Sequence, residues 1–143
     1  MSFIMYSYLR RTSSHHIFYK TLLLKVCRLY NVFGSGSSHG IYAQFMEQST
    51  LANSGRAVGL LRGAGTRMAL WFYALHRALR LKKPLVATVS QHKFQDIQHT
   101  DRAGLAVSDI QDPGFWNQIY LLTRAVFPCL KALRFCDKSE PSM

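Results

Sequence analysis

The stretch that most restricts the fold is Asp112-Pro113 followed by apolar residues at Phe115, Ile119, Leu122, Val126, Leu130 and Leu133. Steps of four, three, four, four and three put these side chains on one side of an α-helix; a strand, whose side chains alternate, would scatter them over both faces. Aspartate followed by proline is a helix start, because the carboxylate accepts a free first-turn amide and the missing proline N–H costs nothing at the first helical position. The chain must therefore cover one face of a helix about five turns long. Pro128, inside the stripe, is expected to kink or interrupt it.

A second helix is expected from Arg67 to Lys83, with Thr66 as N-cap and strong helix formers without Gly or Pro. Its buried side is Met68, Trp71, Phe72, Leu75, Ala78 and Leu79, and Tyr73, His76, Arg77, Arg80 and Lys83 recur on the other. Pro84 is expected to stop it. Residues 85–99 read as a further helix with Val86, Val89 and Phe94 inward, a short strand being the alternative, and Asp101 to Gly104 reads as a turn. Ile41 to Ser49 reads as a short helix with Ile41 and Phe45 in its stripe, and residues 16–30 as a helix with Phe18, Leu22 and Val26 on one side.

These elements give an all-α chain, an irregular helical fragment with a poorly ordered basic N-terminal segment. Residues 1–35 form a basic leader or extension. Residues 36–65 hold a Ser/Gly-rich break, the short helix and a Gly-rich connection, and residues 66–143 a helical domain. The stretch from Phe33 to Gly40 is the expected boundary. Glycines at 55, 59, 63 and 65 suggest a phosphate loop, but the lysine that such a loop needs is missing, so a flexible connection is expected.

Charge restricts the function. The 18 Lys and Arg outnumber the 7 Asp and Glu, leaving a formal +11, and Glu47 is the only acid before Asp96. Such an excess attracts polyanions and favours phosphate contacts without reading sequence; a solvated basic surface is the bland alternative. Cys27, Cys129 and Cys136 are odd in number and lack C-x-x-C spacing, which fits a reducing compartment, and Cys129 and Cys136 are expected in the core. No run of residues is long and apolar enough to span a membrane. Residues 1–46 contain no acid, which leaves an organellar transit peptide, and hence a mitochondrial location, as the alternative to a nuclear one.

Catalytic frames are missing. His92 and His99, or His15 and His16, lack the spacing of a metalloprotease pair, and no Gly-x-Ser-x-Gly elbow is present. Asp96, Asp101, Asp109 and Asp112 are close in sequence but read as caps and solvated turns, not as carboxylates converging on two metal ions. No cofactor and no metal site are expected.

From Thr66 onward the order of landmarks resembles the helical domain inserted in the ribonuclease-H-like core of hAT superfamily transposases. The landmarks are Thr66-Arg67, the basic aromatic helix, Phe115-Trp116 behind Asp112, Pro128, Leu133-Arg134 with Asp137, and finally Pro141 and Met143. The resemblance implies that Thr66 and Arg67 meet DNA, the arginine on the backbone, with an aromatic third residue stacking on an extruded base. Here the third position is Met68, which has no flat ring, and Trp71 one turn on reads as core. The resemblance also implies three catalytic acids flanking the inserted domain, and this chain supplies no such set.

Three functional expectations follow. The first is a catalytically inactive, transposase-derived fragment that binds DNA non-specifically through Thr66, Arg67, Arg77, Arg80, Lys82 and Lys83. The second is a structural module docking a partner helix, or another copy of itself, on the stripe from Phe115 to Leu133. The third is a nonfunctional product of a decayed mobile element.

Overall fold

The computed structural model describes residues 15–37, 39–63, 68–97 and 101–139. In chain order the helices are α1 (His15–Phe33), α2 (His39–Ala52), α3 (Met68–Arg80), α4 (Lys82–Val89), α5 (His92–Ile97), α6 (Asp101–Gln111) and α7 (Pro113–Ser139). No strand occurs among the described residues, so the fold is all-α. No helix among them is long and apolar enough to cross a membrane.

The long helix forms as its sequence dictates. Asp112 Oδ1 accepts the Gly114 amide at 2.9 Å, capping α7 with Pro113 in its first turn. Phe115, Ile119, Leu122 and Leu130 are buried, Val126 is half-buried, and the Leu133 side chain lies outside the described residues. Helix α7 continues through Pro128 to Ser139. Proline removes one amide donor from the ladder, and the carbonyl that loses it belongs to Arg124 on the exposed side, where water can replace the bond. The stripe is covered by the chain's own helices α1, α3 and α6, so it is not open to a partner helix.

Helix α1 forms over the expected residues 16–30 with Leu22 and Val26 inward, and it joins the common core rather than standing apart as an extension. Leu22, Val26, Leu29, Val32 and Phe33 are buried in the same core as Phe45, Leu75, Phe94 and Phe115. Phe18 faces water instead, 42% exposed. Helix α1 packs against α2, α3, α6 and α7, and residues 34–37 form a tight turn between α1 and α2 within one core. The Gly34 amide donates to the Tyr30 carbonyl at 2.7 Å, and a Cβ at Gly34 would collide with that oxygen, so only glycine closes α1 this way. Residues 1–14 lie outside the described residues.

An ion pair ties α1 to a helix 81 positions away. Arg28 Nη1 donates to Asp109 Oδ2 at 2.7 Å, and Lys25 Nζ lies 3.9 Å from Oδ1. Asp109 therefore neither caps nor turns: it is buried on the inner side of α6, and the expected turn at Asp101 to Gly104 is that helix's first turn. Breaking a buried pair costs roughly 3–5 kcal/mol because the remaining group loses its partner. Arg28 retains access to water, which reduces the loss on Asp109→Asn to about 2 kcal/mol. Chemical denaturation should show that drop; an unchanged midpoint would mean that the pair contributes nothing to stability.

Proline 84 acts earlier than expected. Its ring excludes the carbonyl four residues back, that of Arg80, so α3 ends there and α4 restarts at Lys82 with Pro84 in its first turn. Val86 consequently faces water, while Leu85, Thr88 and Val89 are buried. The Gly-rich connection is held at three points. Buried Ser49 Oγ donates to the Val58 carbonyl at 2.6 Å and accepts the Val58 amide at 3.1 Å, and Arg77 Nη1 donates to the Gly59 carbonyl at 3.0 Å. Gly63 lies so close to the Trp71 ring that a Cβ there would overlap it.

Candidate nucleic-acid interface

Helices α3 and α7 run antiparallel, and three contacts from α3 and α4 to α7 show the direction. The Arg134 guanidinium lies 4.6 Å from the Tyr73 ring centre, His76 stacks on Phe127 at 5.2 Å, and Lys82 Nζ lies 5.7 Å from the Trp116 ring centre. As numbers rise along α3 and into α4, they fall along α7. Beside its buried stripe, α7 carries Trp116, Tyr120, Arg124, Phe127, Lys131 and Arg134 at steps of four, four, three, four and three, a second stripe along the same helix.

From Tyr120 to Lys131 this second stripe alternates rings and cations. Lys131 Nζ lies 5.1 Å from the Phe127 ring centre, and Arg124 Nη1 is 3.4 Å from the Tyr120 hydroxyl. A cation over a ring face is held by the ring quadrupole while its outer N–H groups stay available to a ligand. No Asp or Glu occurs in α3, and α7 has none before Asp137 near its C-terminal end, so most of the face has no carboxylate from these two helices to neutralise it. Arg80, Lys82, Lys83, Arg124, Lys131 and Arg134 are all exposed.

The residues singled out from sequence divide into three groups. Arg80, Lys82 and Lys83 are exposed around the α3–α4 joint, and Lys82 lies over the Trp116 ring of α7. Arg77 is half-buried and occupied by the Gly59 carbonyl, so it fastens a loop instead of presenting a free guanidinium. Thr66 and Arg67 lie outside the described residues. Tyr120, Arg124, Lys131 and Arg134 join this face although the sequence reading did not single them out, and their four- and three-residue steps beside the apolar stripe are visible in the sequence.

No family model, curated protein or solved structure matches this chain. The reading of the face consequently rests on its own chemistry.

Other chemistry finds little support in the geometry. Trp71 is a core residue at 6% exposure, and Trp116 is equally buried, its indole N–H donating to the Ile110 carbonyl at 2.7 Å. Burial raises the Cys27 thiol above its ordinary range, which keeps it protonated and weakly nucleophilic near neutral pH. Cys129 and Cys136 are exposed on α7 rather than in the core, because they fall on the side opposite its contacts with α3. Among the described residues no three His, Cys, Asp or Glu side chains are placed to hold a metal ion.

Proposed function

We propose that this chain binds DNA non-specifically through the phosphate backbone, using the exposed cations of α3, the α3–α4 joint and α7, and that it performs no catalysis of its own. The observation that carries the reading is that α3 has no acid and α7 has none before Asp137, in two helices that lie side by side. Phosphate recognition needs unpaired, exposed cations in a row, and the release of counterions supplies the binding free energy. Such a face offers no pattern of donors and acceptors matched to base edges. The hAT-like order of landmarks suggests a derivation from a transposase and a nuclear setting, but the binding proposal stands on the charge pattern without it.

One observation favours a second reading, a helical interaction module. Leu121 and Phe135 are 56% and 77% exposed on α7, large apolar side chains that phosphate binding does not use. Mapping by nuclear magnetic resonance separates the two. Non-specific dissociation constants are on the order of 10⁻⁴–10⁻⁶ M, so a 12-base-pair duplex added to the labelled chain at about 100 μM should shift amide signals. Shifts are expected over residues 73–83 and 116–134. Shifts confined to α1 and residues 53–63, or no shifts at all, would overturn the assignment.

A further inference from the structure

The cationic face also carries flat rings that phosphate binding does not require. Tyr120 is 47% exposed, and exposed His76 stacks on Phe127 with an angle of 18° between the rings. Tyr120 and Phe127 are seven residues apart on one side of α7, about 10 Å along the axis, with Arg124 between them and Lys131 one turn beyond. In a duplex the base faces are already stacked on one another, so exposed rings gain almost nothing from it. A single strand offers free base faces and a backbone together, which is what alternating rings and cations can serve.

We infer that the preferred ligand of this face is single-stranded DNA, its bases stacking on Tyr120 and on the His76–Phe127 pair while Arg124 and Lys131 hold phosphates. The inference rests on the DNA-binding reading above and adds the form of the ligand. It also predicts a difference in salt response. Stacking is not screened, and single strands release fewer counterions per phosphate than duplexes, so the preference for single strands grows as salt rises.

The test is fluorescence anisotropy with a labelled 12-nucleotide thymidine oligomer and a 12-base-pair duplex, at 50 and 150 mM salt. The single strand is expected to bind about tenfold tighter at the higher salt, in line with one lost or gained base stack. Tyr120→Leu and His76→Ala should each weaken single-strand binding about tenfold and duplex binding less than about twofold, while Tyr120→Phe retains the native value. Both positions are exposed, so folding is expected to survive, and circular dichroism checks this. Equal or tighter duplex binding, or equal weakening of both ligands by Tyr120→Leu, overturns the single-strand inference and leaves DNA binding standing. Failure to bind either oligomer overturns both.

Discussion

Replacing Phe33 with alanine is expected to lower the free energy of unfolding by about 3–5 kcal/mol, a large part of the roughly 5–15 kcal/mol that holds a domain together. The ring is fully buried at the C-terminal end of α1. It meets Phe45 of α2 edge-on at 6.0 Å and stacks on Phe94 of α5 at 5.7 Å, so its removal opens a cavity where three helices converge. Partial relaxation cannot fill that space, because each neighbouring ring is held by its own helix. The melting temperature should fall by about 10 °C or more. Phe18→Ala, at an exposed position of the same helix, should change stability by less than about 0.5 kcal/mol. If α1 were an appendage, both substitutions would be silent in the melting of the rest of the chain.

The contrast between those two phenylalanines shows what the sequence made legible. Local signals were readable: the cap at Asp112-Pro113 and the spacing of Phe115, Ile119 and Leu122 depend only on near neighbours, and both form as expected. Helix α3 was legible for the same reason. Helix α1 was legible as a helix with Leu22 and Val26 inward, but its place in the common core was not, because its lack of acids resembles a leader and its partners are distant in sequence. Arg28 reaches Asp109 across 81 positions, and no local pattern marks such a pair. The Gly-rich connection was misread because glycine content signals freedom, whereas Ser49 and Arg77, both outside it, hold it down. Arg77 was counted among the DNA-binding cations because helical spacing gives its direction but not its hydrogen-bond partner. The cations of α7 lie in a row beside its apolar stripe, and helical spacing alone does not show that α3 packs along that row.

The second large effect is electrostatic. Changing Arg80, Lys82, Lys83, Lys131 and Arg134 together to glutamine should weaken DNA binding about a thousandfold at 50 mM salt, provided each cation contacts one phosphate. Glutamine preserves much of each stem, so the packing of Lys82 on Trp116 and Arg134 on Tyr73 is only partly lost. The side chains are exposed, and stability should change little. Arg77→Gln belongs in a separate experiment. Its expected effect is on the 53–63 loop, through the lost bond to Gly59, and not on affinity.

Salt dependence of binding is the most direct test that the face between α3 and α7 meets phosphates. Plotting the logarithm of the association constant for a duplex against the logarithm of salt concentration gives a slope of about −0.9 for each phosphate neutralised. The native chain should give a slope of about −5, and the five-glutamine variant one shallower by about 4. Parallel lines of equal affinity for the two proteins would place the DNA elsewhere and contradict the account.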